Sequence, residues 1–193
     1  MTRIPQAFEI HTPRLLMKPY GRSDARELLT LIDRNRTDLL DAFPVMINQL
    51  NSVSDTRSWI AGRSSQHAMG QGIAIAMRLR HSQVLAGYLG ILNLDMRVPK
   101  CEMAYFVEQS LRRQGLAEEA LLAGLRWAIG SIGLQKVLCR VDPGNEASLR
   151  LLEKTGFVRE GLVRCDYRSG HGHTGDCVYM GLLASDFMRA NSA

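Results

Sequence analysis

The rhythm of apolar and polar positions changes along this chain, and each rhythm predicts a different kind of element. Residues 14–20 alternate loosely and end in Pro19-Tyr20, as an edge strand does. Ser23-Asp24 followed by Glu27 gives a cap and a capping box ahead of Leu28, Leu29, Leu31 and Ile32, so a helix is predicted to about Asn35. Residues 36–53 lack a firm period and carry Pro44, and Ser54-Asp55 then reads as the cap of a short helix with Trp59 and Ile60 that ends by Gly70. That region is expected to border a site. Short β-rich runs at 73–79, 84–92 and 102–107, with a polar turn at 80–83, predict an antiparallel meander. A helix over 116–129, a strand at 136–141, a helix at 146–155 stopped by Gly156, and strands at 157–163 and 177–183 complete the pattern. The order predicts a mixed α/β fold of α+β type. With no internal repeat and no linker, the elements must share one core.

Composition narrows this further. The 193 residues are 46% hydrophobic and 22% charged, as expected of a single globular domain. Apolar runs such as 84–94 fall well short of the roughly 20 residues that span a bilayer, so no membrane span is expected. No apolar stretch follows Arg3, which speaks against a secretory signal and for a cytoplasmic setting. Cys101, Cys139, Cys165 and Cys177 are too dispersed for a disulfide framework and suit free thiols. The net charge is +5 and 20 of the 24 cations are Arg, whose planar fork suits phosphate oxygens. Because the cations are scattered, with Arg112-Arg113 as the notable pair, an anionic small ligand is favoured over a nucleic-acid surface.

The candidate chemistry lies where the third β-rich run ends. After Val107 and Glu108 come Arg112, Arg113, Gln114, Gly115, Leu116 and Ala117, and from Ala117 apolar residues recur at helical spacing. A helix that starts beside Gly115 offers free N–H groups and a positive dipole end. Gly115 permits close approach and the two arginines add charge, which together make a cradle for a diphosphate. A basic turn capping a core helix is the plainer alternative. Downstream, Asn145 and Ser148 precede Glu153-Lys154-Thr155-Gly156-Phe157.

Two other patterns carry less. Gly170-x-Gly172-x-x-Gly175 has the form of a dinucleotide fingerprint, but the residues after Gly175 are strand-like and too few for a βαβ unit, so a hairpin loop is expected. Cys165, His171, His173 and Cys177 lack the spacing of a zinc site, and no metal is expected; the two histidines are expected to rim an acceptor cleft. Trp59, Trp127 and the methionines read as core or groove lining.

Arg112-x-x-Gly115-x-Ala117 resembles the acyl-CoA pyrophosphate loop of GNAT-type N-acetyltransferases, and the Asn145-x-x-Ser148 segment ending in Gly156-Phe157 resembles that superfamily's second signature. Thr12-Pro-Arg-Leu-Leu, Gly87-Tyr-Leu-Gly90 and Glu160-Gly-Leu-Val-Arg164 resemble the branch of ribosomal-protein N-terminal (Rim-type) acetyltransferases. The resemblance implies one N-acetyltransferase domain over 10–185, between short tails at 1–9 and 186–193, with a mostly antiparallel sheet splayed at its centre. It implies acetyl-CoA as co-substrate and no metal. The pantetheine arm would run along Phe106, Val107 and Glu108, the pyrophosphate would rest on Gln114 to Ala117, and Asn145 would hold the arm near the thioester. An oxyanion donor is expected in the Val107 N–H.

A protonated amine must lose a proton before it attacks, and Glu102 resembles the family's base, with Glu108 and Asp95 in reserve. Ser148 resembles the proton donor to the leaving thiolate; Tyr105, used in some relatives, competes and points to the other face of its strand from Glu102. The acceptor implied is a primary amine, either a peptide N-terminus or a small molecule such as a polyamine, amino acid or aminoglycoside. A non-catalytic acyl-CoA-binding module is the alternative of another class. A homodimer is a common outcome in the resembled family.

Overall fold

A computed structural model describes residues 4–190; residues 1–3 and 191–193, the outer ends of the two expected tails, lie outside the described residues. The strands are β1 (Ile10–His11), β2 (Leu15–Pro19), β3 (Ile73–Leu79), β4 (Leu85–Asp95), β5 (Lys100–Val107), β6 (Lys136–Val141), β7 (Val158–Arg168) and β8 (Thr174–Leu183). The helices are α1 (Ala25–Ala42), α2 (Pro44–Gln49), α3 (Val53–Ala68), α4 (Leu116–Trp127), α5 (Glu146–Lys154) and α6 (Ala184–Ala190). One mixed sheet runs in the order β1-β2-β3-β4-β5-β6-β8-β7. Among the described residues, only the pairing of β5 with β6 is parallel.

Each face of the sheet carries its own apolar layer, and the alternation of side chains decides which residue serves which. On β3, Ile73, Ile75 and Met77 enter the layer shared with α4, whereas Ala74 and Ala76 meet α1, α2 and α3. The large side chains fill one layer and the small ones let helices approach on the other. Leu28, Ile32 and Ile60 of the helical face are fully buried, each contributing about 1.5–3 kcal/mol by area.

The meander β3-β4-β5 forms as the pattern predicts, and several local expectations are corrected. Asp24 and Glu27 make no capping box for this helix: Asp24 accepts the Gly21 N–H at 2.8 Å, Glu27 accepts the Leu85 N–H at 2.9 Å, and both pair with the buried Arg78. The first helix runs past Asn35 to Ala42, and Pro44 then opens α2 at a first-turn position where its missing N–H costs nothing. The cap of α3 is Ser52, which accepts the Asp55 N–H at 3.1 Å, rather than Ser54. Residues 15–19 are not the edge, since β1 pairs outside them. The last residues before 191 form α6, whose Phe187 is buried in the core, so packed structure continues past 185.

The central irregularity is between β5 and β6. They pair across Lys100, Cys101 and Glu102 with Lys136, Val137 and Leu138, and their ladder stops there. β6 keeps its partner β8 as far as Val141, so from Met103 onward β5 has an edge with no strand beside it among the described residues. The Cys139 thiol lies against the Met103 N–H where the strands part.

Candidate active site

The ladder on the other edge of β5 decides which backbone groups face the gap. Glu108 donates its N–H to Ala86 O of β4 at 2.9 Å. By alternation, Phe106 and Glu108 therefore turn their peptide groups toward β4, while Tyr105 and Val107 turn theirs into the gap. The Val107 carbonyl accepts Arg112 Nε at 3.2 Å, and its N–H remains on the gap side. Of the expected cofactor edge of Phe106, Val107 and Glu108, Val107 is the residue whose backbone this register turns to the gap. Phe106 instead gives its ring to an aromatic layer, and the Glu108 carboxylate accepts the Ser110 hydroxyl.

The turn after β5 leads into α4 through a backbone that side chains rarely tolerate. Arg113 has φ +61 and Gly115, the residue preceding the helix, has φ +77. No side chain caps α4, and the first N–H taken up locally is that of Glu119, which donates to Gly115 O at 3.1 Å. The N–H groups ahead of it, at Gly115, Leu116 and Ala117, are thus left for an anion at the positive end of the helix. Arg113 and Gln114 are exposed beside them. Arg112 pairs with Asp38 at 2.7 Å and reaches the buried Asn35, which also accepts the Gln109 N–H at 2.8 Å.

Across the gap, α5 begins at Asn145, whose side chain accepts the Ser148 N–H at 3.1 Å. That bond leaves the Asn145 amide N–H₂ and the Ser148 hydroxyl for other partners. Tyr105 turns toward this helix. Its hydroxyl is buried with no hydrogen bond of good geometry among the described residues, yet the Ser148 side chain is near enough to lower its pKa. Burial, with Cys139 adding to it, outweighs Ser148 and holds the phenol above its ordinary value. Ser148 and Tyr105, rival candidates in the sequence, are neighbours in space.

Glu102 stands on the opposite face, at the last paired position before the strands part. Its oxygens are engaged, one by Arg140 Nε at 3.0 Å and the other by Asn93 Nδ2 at 3.0 Å, and the side chain is only 14% exposed. Arg140 also reaches Asp166 at 3.3 Å, and Tyr179 donates to the same carboxylate at 3.0 Å. Burial works against the Arg140 charge, but its bonds to Glu102 and Asp166 prevail and its pKa is raised. A buried aromatic cluster underlies this face: Tyr88 stacks on Phe106 at 5.7 Å, with Phe43 and Trp59 around them and Arg63 over Trp59 at 5.1 Å. Burial pushes the Tyr88 phenol up to about 12. The hairpin turn between β7 and β8 carries the exposed His171 and His173, and its Gly170 N–H docks onto Leu40 O of α1 at 3.1 Å. Of the reserve bases, Asp95 accepts hydrogen bonds from Arg97, which lower its pKa to about 2.

Several residues escape the sequence reading because their partners are remote. Asn35, Asp38 and Arg140 lie 74, 74 and 38 positions from the residues they hold. Arg14 and Glu119 join across 105 positions. An open groove of about 650 Å³ runs between residues 10–14 and one side of α4 at Gly115, Leu122 and Trp127; Glu102, Tyr105 and Ser148 do not line it.

Residues 14–158 match the family model described as "Acetyltransferase (GNAT) domain". The chain is 25% identical, over 92% of its length and 97% of the relative's, to the Bacillus licheniformis protein named uncharacterized N-acetyltransferase p20. It is 30% identical over 45% of its length, and 44% of the relative's, to the [ribosomal protein uS5]-alanine N-acetyltransferase of Escherichia coli. The structure of RimL, a ribosomal L7/L12 alpha-N-protein acetyltransferase solved in complex with coenzyme A, superposes with a TM-score of 0.83 at 17% identity, covering 91% of this chain and 98% of that one.

Proposed function

The chain belongs to the GNAT acetyltransferase family, an acetyl-CoA-dependent N-acetyltransferase that moves acetyl to an amine, and from that premise we propose that its acceptor is the α-amino group of a protein N-terminus, taken up in the cytoplasm. One observation carries the reading. The gap opens immediately after Glu102 and Leu138, with Glu102 on one face of the sheet and the Tyr105–Ser148 pair on the other. A proton acceptor and a proton donor on opposite sides of one opening suit direct attack in a ternary complex.

The residues fit acetyl-CoA on two counts: the buried Tyr105 hydroxyl has no partner of good geometry, and Gly115 holds a left-handed backbone at an uncapped helix start. Acetyl-CoA supplies an activated thioester and a thiolate leaving group. The N–H groups of Gly115 to Ala117 receive the diphosphate, and the gap-side groups of Val107 and the Asn145 amide receive the peptide-like arm. The Val107 N–H is placed to stabilise negative charge on the thioester oxygen. Tyr105, kept protonated by its raised pKa, donates to the leaving sulfur with Ser148 beside it. On the other face Glu102 accepts the amine's proton, and Arg140 and Asn93 hold its carboxylate in place.

Two features favour a peptide acceptor. Relatives named for ribosomal proteins match part of the sequence and share the fold. The acceptor face also combines a polar surface of Arg140, Asp166 and Tyr179 with an aromatic layer beneath it, which suits a short extended segment better than a bare polycation. A CoA-release assay over N-terminal peptides, lysine peptides, polyamines and aminoglycosides tests this. The expected result is turnover with free peptide N-termini, abolished when the N-terminus is blocked. Turnover confined to polyamines or aminoglycosides would contradict it.

A further inference from the structure

The loop that receives the diphosphate is held from behind by a residue of the chain's first segment. Arg14 precedes β2 and reaches both sides of the turn into α4. Its Nε donates to Glu119 at 2.6 Å, its backbone N–H donates to the same carboxylate at 2.8 Å, and its Nη1 donates to the Gln114 carbonyl at 2.6 Å. Thr12 adds its hydroxyl to Glu119 at 2.5 Å, and Arg80 anchors the segment by bonding to the carbonyls of Thr12 and Arg14, each at 2.9 Å. Burial favours protonating Glu119, but these donors outweigh it and hold the carboxyl below its usual range.

The bond to Gln114 O has a directional consequence. A peptide unit is planar and trans, so its C=O and N–H point in opposite directions. Fixing the Gln114 carbonyl on Arg14 therefore aims the Gly115 N–H away from Arg14, toward the open side of the helix start. The guanidinium's other amino group lies 3.3 Å from where a Gly115 side chain would begin, so the clamp sits directly behind the glycine. The Arg14 charge is matched by Glu119, which makes direct attraction of phosphate a minor part of its action.

We infer that Arg14, locked by Glu119, is a positioning residue that pre-orients the Gly115 N–H for the diphosphate of acetyl-CoA. The inference rests on residues 112–117 being the diphosphate loop. It gives the Thr12-Pro13-Arg14 segment, about 100 positions away in sequence, a part in cofactor affinity.

Steady-state kinetics of Arg14→Gln, Arg14→Lys and Glu119→Gln test it, with thermal melting as the folding control. Arg14→Gln is expected to raise KM for acetyl-CoA about 10-fold, with kcat and the acceptor KM within about twofold of the parent. Arg14→Lys recovers part of the loss, since an ammonium can reach one of the two acceptors. The ratio of variant to parent KM persists at about 1 M salt, where the Debye length is near 3 Å. A ratio that collapses toward one in salt would make Arg14 a direct phosphate contact and overturn the inference. So would equal changes in both substrates' KM, or no change at all. If Arg14→Gln does not fold, the KM rise in Glu119→Gln and Arg14→Lys decides. Calorimetry of the parent with CoA separates the two levels: a parent that does not bind CoA sinks the loop reading itself, whereas a parent and a folded Arg14→Gln that bind alike sink only the clamp.

Discussion

Two helices start on either side of the same gap, and they start differently. α5 is capped by its own chain, with Asn145 accepting the Ser148 N–H, whereas α4 begins at a left-handed glycine with no side-chain cap. An N-cap is worth about 1 kcal/mol, so leaving α4 without one is a cost to the unliganded protein. The arrangement makes sense if a ligand supplies the missing acceptor at α4 while α5 must stand ready, with its amide and hydroxyl groups aimed, before the ligand arrives. The side-chain fastenings agree. The turn before α4 is held from outside by Arg14, Asn35 and Asp38, all of them bound away from the N–H groups that the ligand would use.

The most severe way to break this contrast is Gly115→Glu. A side chain at φ +77 is strained, it enters the space beside Arg14, and its charge opposes a phosphate. Calorimetric CoA binding is expected to fall at least 100-fold, with the melting transition retained. Next come the side chains that β5 and α5 bring to the gap. Tyr105→Phe and Ser148→Ala are each expected to lower kcat by about 10-fold to 10³-fold, with little change in KM for acetyl-CoA. Because the two side chains are neighbours, the double variant should be little worse than the poorer single one, whereas a multiplicative loss would show that they act separately. The raised Tyr105 pKa adds a sign. A donor held above its usual value of about 10 stays protonated through that pH, so kcat should show no alkaline decline below pH 10 from this group.

Glu102→Gln removes the acceptor on the other face and is expected to cost about 10²-fold in kcat near neutral pH, partly relieved where the amine deprotonates unaided. A pH–rate profile identical to the parent's would remove Glu102 from the mechanism. Smaller still is Asn145→Ala, which deletes the cap of α5: about 1 kcal/mol of stability by denaturant melting, with a modest rise in KM. The gentlest test uses acid. Glu119 is held below its usual value, so its contribution to stability is complete above about pH 4.3 and is lost as pH falls through the lowered value. Glu119→Gln should therefore flatten the acid limb of stability relative to the parent.

Much of this contrast was legible in the chain itself. Gly115 after two arginines and Asn145 three residues before Ser148 are local patterns, and local geometry follows from them. The meander β3-β4-β5 was equally plain, because strand alternation is written in consecutive residues. The features that stayed hidden were set by distance. Asn35 looks like an ordinary helix residue until it receives the Gln109 N–H, and Arg140 looks like a solvated strand residue until it joins Glu102 to Asp166. The parity of β5 was hidden as well. The pairing of Glu108 with Ala86 decides that Tyr105 and Val107, not Phe106 and Glu108, face the gap, and no pattern within β5 announces that register. The capping box at Ser23–Glu27 misled for the same reason, since both acids turn to the remote Arg78 instead.

Amide hydrogen exchange with and without CoA tests the contrast between the two helix starts most directly. The N–H groups of Gly115, Leu116 and Ala117 are expected to slow by at least about 10-fold when CoA binds, because the ligand gives them their first acceptor, while the Ser148 N–H, already bonded to Asn145, changes little. Unchanged exchange at Gly115 to Ala117 in a protein that demonstrably binds CoA would contradict the account.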